Sequence, residues 1–229
     1  MSNKILAQTR CVMFDLDGTL VDSAPDIAIS LNKMLLQLDL PTQDIAQVRD
    51  WMGNGAMRLI KRALTGEVSG EPPATLFKQA QQLFFDLYAE HINVQSTMYA
   101  GALEGLTELH ERGYMLACVT NKPRRFTPPL LRAFEIDGFF EYLICGDDLA
   151  VKKPDPQVLQ TVLKQADLSP FQAVMVGDSA SDMKAANAAN MQSFCVRYGY
   201  HQGKGVDALG ADYIIDSVAE VPQYLINTN

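Results

Sequence analysis

Two aspartates, Asp15 and Asp17, stand one residue apart directly after four apolar residues, Cys11–Phe14, and directly before Gly18. An apolar run of that length predicts a strand buried on both faces, which would deliver both carboxylates to its carboxyl end. Acids so placed repel each other and are costly to ionise together. A divalent cation offsets that cost, and a carboxylate held beside it is a competent nucleophile towards a phosphoryl group. Gly18 permits the sharp bend that must follow. An Asp-Gly turn without chemistry is the plain alternative. A calcium loop is not, because that pattern requires an acid or amide at Thr19 and glycine at Leu20.

More polar residues gather where other strands are expected to end. Thr120, Asn121 and Lys122 follow the run Met115–Val119, and Lys152-Lys153-Pro154 follow a Gly146-Asp147-Asp148 turn. Gly177-Asp178-Ser179, with Asp182 one helical turn on, follow residues 173–176. Taken singly, these groups read as caps, turns or a solvated loop. Taken together, three carboxylates (Asp15, Asp17, Asp178), a hydroxyl–amide pair and a lysine at sheet ends are what phosphoryl transfer needs.

Two kinds of segment must position these groups. From about Asp22 to Val94 the apolar residues recur at helical spacing: Ile27, Leu31, Met34 and Leu35; then Val48, Met52, Leu59 and Ile60; then Leu76, Ala80, Phe84 and Tyr88. From Tyr99 onwards short apolar runs at 115–119, 142–145, 173–176, 193–196 and 213–215 alternate with helices. Gly113 supplies a helix stop, while Asp155-Pro156 and Ser169-Pro170 supply helix starts. Such alternation predicts a doubly wound, mostly parallel α/β sheet with a Rossmann-like core, which binds ligands beyond the carboxyl ends of its strands. The strand at Cys11–Phe14 joins that sheet. The helices are then an insertion, reached by linkers near residues 20–25 and 95–100. The expected division is a core of 1–21 and 97–229 and a helical unit of 22–96.

Composition narrows the partners. With 229 residues, 48% hydrophobic and 20% charged, the chain can bury a sizeable core and a smaller attachment. A net charge of −8 and the lack of a basic run argue against nucleic acid. They also leave the attraction of an anion to local cations. Cys11, Cys118, Cys145 and Cys195 lie in apolar runs without a C-x-x-C pair, so they read as small buried hydrophobes. No signal-like or membrane-length run is present, and the expectation is a cytoplasmic protein, as a monomer or small homo-oligomer.

The order D-L-D-G-T-L-V-D-S, V-T-N-K, K-K-P-D-P and G-D-S-x-x-D resembles the four motifs of the haloacid dehalogenase superfamily. The helical insertion resembles that superfamily's mobile cap. Within it, Gly53-Asn54-Gly55-Ala56, Val119 to Pro123, Gly146 to Leu149 and Tyr198-Gly199-Tyr200 resemble phosphoglycolate phosphatases. Tyr99-Ala100-Gly101 departs from the proline expected there.

The resemblance implies Mg²⁺-dependent hydrolysis of a small phosphorylated metabolite, with 2-phosphoglycolate foremost. Asp15 is then the nucleophile. Its carboxylate, the Asp17 main-chain oxygen and Asp178 hold the metal. The Asp17 side chain serves as acid and base, and Lys153 balances charge. Thr120, with the main-chain N–H groups of Gly18 and Asn121, binds phosphoryl oxygens; Ser179 and Asp182 support. Asp182 either orients Lys153 or a metal-bound water, or is a plain helix-face acid. Asp22 and Ser23 read as linker or cap residues. The N–H groups around Asn54 are a candidate carboxylate site, and Arg58, Lys61 and Lys122 candidate counter-ions. A mutase, another sugar-phosphate phosphatase or a pyrophosphatase would share these motifs. A dehalogenase needs no acid at Asp17. A phospho-accepting signalling domain lacks the insertion, and a dead binding protein has no reason to keep every acid.

Overall fold

The computed structural model describes residues 6–203 and 205–225. The chain begins with β1 (Cys11–Phe14) and β2 (Val21–Asp22). The helices α1 (Ala24–Gln37), α2 (Ile45–Trp51), α3 (Ala56–Thr65) and α4 (Ala74–Glu90) follow, and β3 (Thr97–Met98) closes that stretch. Strands and helices then alternate: α5 (Ala102–Glu111), β4 (Met115–Val119), α6 (Thr127–Ala133), β5 (Tyr142–Ile144), α7 (Gln157–Gln165), β6 (Ala173–Gly177) and α8 (Ala180–Ala188). Two further strands, β7 (Gln192–Val196) and β8 (Tyr213–Ile215), and a short α9 (Val221–Tyr224) complete the chain.

Six strands form one sheet in the order β5-β4-β1-β6-β7-β8, every neighbouring pair parallel. The side chains of β1 explain the double cover. Val12 and Phe14 face a cluster that includes Leu106 and Leu109 of α5 and Val221 of α9. Cys11 and Met13 face the opposite cluster, with Val158, Leu159 and Val162 of α7 and Ala185 and Ala186 of α8. A strand whose alternate residues both meet apolar helices must be apolar throughout, and all four residues of β1 are buried. In register, Phe14 pairs with Cys118 on one side and Val176 on the other. The ends of β1, β4 and β6 therefore lie level, side by side. All four cysteines are buried and unpaired. No described helix is long and apolar enough to cross a membrane.

Helices α1–α4 have their own core of Leu31, Met34, Leu35, Val48, Ile60, Ala80, Phe84 and Tyr88. Phe126 and Tyr200, which belong to the sheet side, also pack into it. The segments expected as plain linkers instead pair as an antiparallel ribbon, Val21 with Met98 and Asp22 with Thr97. Two residues per strand are too few for any periodicity to register. Beside the ribbon the buried Asp26 carboxylate accepts the N–H groups of Val94, Gln95 and Ser96 at 2.8–3.0 Å and the Ser96 hydroxyl at 2.6 Å. One aspartate thus ties the outgoing and returning chain together.

Two helix starts differ from expectation. Ser169-Pro170 opens only a 3-10 turn at Pro170–Gln172, because strand β6 begins at the next residue. Helix α7 starts at Gln157, whose N–H the Asp155 carboxylate accepts at 2.9 Å, so Pro156 stands at the cap position and not inside the first turn.

Candidate active site

Asp15 is the first residue beyond β1, fixed by its N–H to the Val176 carbonyl at 2.9 Å. Its Oδ1 accepts the Leu16 N–H at 2.7 Å and lies 3.0 Å from Lys153 Nζ. Lys153 is buried in the loop beyond β5, where its ammonium also donates to the Val119 carbonyl at 2.6 Å and meets Asp182 Oδ1 at 2.7 Å. Asp182 is wholly buried in the first turn of α8, and its other oxygen accepts the Ser179 N–H and hydroxyl at 3.0 and 2.6 Å. A reciprocal cap of this kind holds a carboxylate in one orientation. Ser179 therefore orients Asp182, and Asp182 orients Lys153.

Asp178 follows β6. It accepts the Thr19 hydroxyl at 2.8 Å and the Tyr200 N–H at 2.6 Å, and neither donor is charged. Gly18 packs against it with φ +90°, and a Cβ there would come within 2.3 Å of Asp178 Oδ2. The Gly18 N–H, expected at the phosphoryl oxygens, instead donates to the Val21 carbonyl at 2.9 Å, because the turn that brings the chain to β2 consumes it.

Carboxylate oxygens of Asp15, Asp178 and Asp182 lie within 4.8 Å of one another. Three acids gather here, and the one ammonium beside them, Lys153, pairs with Asp15 and Asp182. Burial pushes the Asp15 carboxyl up to about 7, against the pull of Lys153 and with the push of Asp182. Burial, then Asp182 and Asp15, push Asp178 well above the usual carboxylate range. Burial disfavours the charged form of Lys153, but Asp15 and Asp182 outweigh it and hold the ammonium above its ordinary value. A surplus of buried carboxylate oxygen is what a hard divalent cation neutralises, so these residues fit such an ion.

The Asp17 carboxylate stands apart from that group. Both of its oxygens lie 3.1 Å from Lys122 Nζ, and Ser23 donates to Oδ1 at 2.6 Å. Lys122 is 6% exposed and also donates to the Tyr88 hydroxyl at 2.6 Å. Burial alone would lower the Lys122 pKa, but Asp17 and Tyr88 outweigh it and raise it. Ser23 is therefore more than a linker residue. Nothing in the sequence but a hydroxyl six positions beyond Asp17 signals it. Asp22, its neighbour, binds Arg49 of α2 at 2.9 and 2.7 Å and accepts the Tyr200 hydroxyl at 2.7 Å.

Thr120 and Asn121 line the cleft between the sheet ends and the inserted helices. The Thr120 main chain bonds to Ile144 at 2.9 Å, and the Asn121 amide donates to the Lys153 carbonyl at 3.0 Å. Gly53 and Gly55 line the opposite wall with φ of +97° and +82°. The Asn54 side chain does not line the cleft; its Oδ1 accepts from Arg62 at 2.9 Å and from Gln202 at 2.8 Å. Arg58 and Lys61 are also absent from the cleft, both being paired with Glu71 at 2.8 and 2.5 Å.

A model of the haloacid dehalogenase-like hydrolase family matches residues 12–196. A curated phosphoglycolate phosphatase of Nitrosococcus oceani is 43% identical over 221 residues, covering 96% of this chain and 98% of its own. One of Pseudomonas putida is 44% identical over 210 residues, covering 91% and 77%. A crystal structure described as a predicted phosphoglycolate phosphatase from Haemophilus somnus superposes with a TM-score of 0.88 at 34% identity, covering 94% of this chain and 97% of the other. Match, sheet order and the residues gathered at the strand ends agree: this chain is an enzyme of the haloacid dehalogenase-like hydrolase family.

Proposed function

We propose that the enzyme hydrolyses small phosphomonoesters, with 2-phosphoglycolate the preferred substrate, through an aspartyl-phosphate on Asp15. The observation that carries this reading is the separation of two carboxylates at one cleft. Asp15 is bound to Lys153 among buried acids, while Asp17 is held apart by Lys122 and Ser23. The names of the relatives support the choice of ester.

Asp15 attacks phosphorus as the bond to the ester oxygen breaks, and Asp17 gives that oxygen a proton. Water then attacks the aspartyl-phosphate, giving its proton to Asp17, and phosphate leaves with Asp15 restored. Thr120 and Asn121 bind the transferred group, and Lys153 offsets its negative charge. Asp15, Asp178 and the Asp17 main-chain oxygen would hold Mg²⁺, which supplies charge neutralisation at the phosphoryl oxygens. Residues 22–96 act as a cap on the core formed by 1–21 and 97–229, hinged at the β2–β3 ribbon and closing to exclude water. The same reading makes this a cytoplasmic enzyme whose partner is a small phosphorylated metabolite.

The test is phosphate release from 2-phosphoglycolate, hexose phosphates, pyrophosphate and an aryl phosphate, with Mg²⁺ or EDTA, beside Asp15→Asn. Strong preference for 2-phosphoglycolate, lost with EDTA and in the variant, is the expected result. Preference for another ester would refute the substrate, and absence of metal-dependent turnover would refute the phosphatase.

A further inference from the structure

Among the described residues bounding the cleft, Lys122 is the one cation. Its ammonium is shared between the two Asp17 oxygens, each at 3.1 Å, and the Tyr88 hydroxyl at 2.6 Å. Tyr88 accepts that bond, so its own O–H remains to be given, and no described residue receives it. The phenol is 2% exposed, and its ring is fixed by stacking on Phe84 at 5.7 Å and by an edge contact with Phe126 at 4.9 Å. Bulk water cannot readily satisfy a donor buried this way, and an unmet buried donor is costly.

The two groups come from opposite sides, Tyr88 from α4 in the inserted helices and Lys122 from the loop beyond β4. Around them the wall is apolar, built from Ile27, Met52, Leu59 and Phe84. A negative group entering here loses its water and is held only where charged or hydroxyl donors meet it. The reach follows from the proposed chemistry. Asp17 must touch the ester oxygen, and Lys122 Nζ is 3.1 Å from Asp17, so a group one carbon beyond that oxygen arrives at Lys122 and Tyr88. It can take over one of the contacts now made to Asp17, which keeps the Ser23 hydroxyl at 2.6 Å.

We propose that Lys122 and Tyr88 together form the receptor for a carboxylate separated from the ester oxygen by one carbon, which makes α-phosphooxy carboxylates the substrate class. This rests on the phosphatase reading above. A substrate with methyl in place of the carboxylate leaves both donors without their partner, and sites built around buried donors discriminate strongly against such analogues.

Steady-state kinetics on 2-phosphoglycolate and ethyl phosphate, its methyl analogue, test the assignment in wild type, Lys122→Met and Tyr88→Phe. Thermal melts check that each variant folds. Tyr88→Phe keeps the Lys122–Asp17 pair, so it carries the test if Lys122→Met does not fold. The expected result is a fall in kcat/KM that is at least about tenfold larger for 2-phosphoglycolate than for ethyl phosphate, carried mainly in KM. Equal losses on both esters in folded variants would overturn the receptor and leave the phosphatase reading intact. So would a wild-type enzyme that hydrolyses both esters alike. A wild-type enzyme that releases phosphate from neither ester would refute both readings.

Discussion

The Lys153 ammonium lies 3.0 Å from Asp15 Oδ1, and it is held there from behind by Asp182 at 2.7 Å and the Val119 carbonyl at 2.6 Å. The cation is thus pinned before any ligand arrives, which is the condition under which a buried charge is most effective at a developing negative charge.

Replacing Lys153 by Met should lower kcat by about 10²–10³-fold, the usual cost of losing a preorganised donor. It should also lower the melting temperature, because removal of one partner strands buried carboxylates, at about 3–5 kcal/mol. Asp182→Asn keeps the lysine and loosens its support, so a smaller fall in kcat is expected. Single-turnover rates and thermal melts measure both. Wild-type kcat in Lys153→Met would remove Lys153 from the mechanism.

The acids make metal-free stability depend on pH in a stated direction. Burial raises the folded Asp15 pKa to about 7 and shifts Asp178 upward too. Between the ordinary carboxylate range and that value, the folded protein binds more protons than the unfolded chain. The associated stability is fully present below the unfolded pKa and is lost as pH rises through about 7. Melts in EDTA should therefore fall between pH ~5.5 and ~8. Mg²⁺ should restore more at the higher pH, where the ligands are ionised. A metal-free melting temperature that rises across this interval would contradict the account.

Asp17→Asn should distinguish proton transfer from binding. An alcohol leaving group needs the proton, so the ester-cleaving step, read as kcat/KM, should fall about 10²–10⁴-fold on alkyl phosphates. On an aryl phosphate, whose leaving group is already stable as an anion, kcat/KM should lose much less, while kcat falls on both because Asp17 also takes the proton of the attacking water. Equal losses of kcat/KM on the two classes would remove Asp17 as the acid.

Arg49→Met should separate hinge from fold. The Arg49–Asp22 pair is partly exposed, with side chains at 35% and 19%, and such pairs contribute roughly 0–1 kcal/mol. The melt should barely move. Yet Arg49 joins α2 to the ribbon, so kcat and KM should change together, as for residues that govern closure. Stopped-flow measurement of product release checks this, and an unchanged release rate with unchanged KM would dismiss the hinge role.

The sequence makes the strand ends legible because a parallel sheet collects them: once Cys11–Phe14, Met115–Val119 and 173–176 are recognised as buried runs, the polar residues after each must become neighbours. The structure brings Asp15, Lys153, Asp178 and Asp182 together accordingly. What it could not reveal is which side chains meet across the fold. Lys122 reaches Asp17 from 105 positions away, and Gln202 takes the Asn54 amide from 148 away. No local period encodes such meetings. The Gly18 N–H illustrates the same limit at short range: a turn that presents a donor and a turn that consumes it share one composition.

The β2–β3 ribbon and the Asp26 clasp bring the outgoing and returning strands of the helical unit side by side. A segment whose two ends are adjacent can be exchanged for another of different size without moving the frame that receives it. The carboxylate receptor, however, takes one donor from each side, Tyr88 from the insert and Lys122 from the frame. Grafting a foreign insert onto this chain should therefore preserve phosphoryl chemistry while erasing substrate choice, so the ribbon is also a natural splice point for building new selectivities.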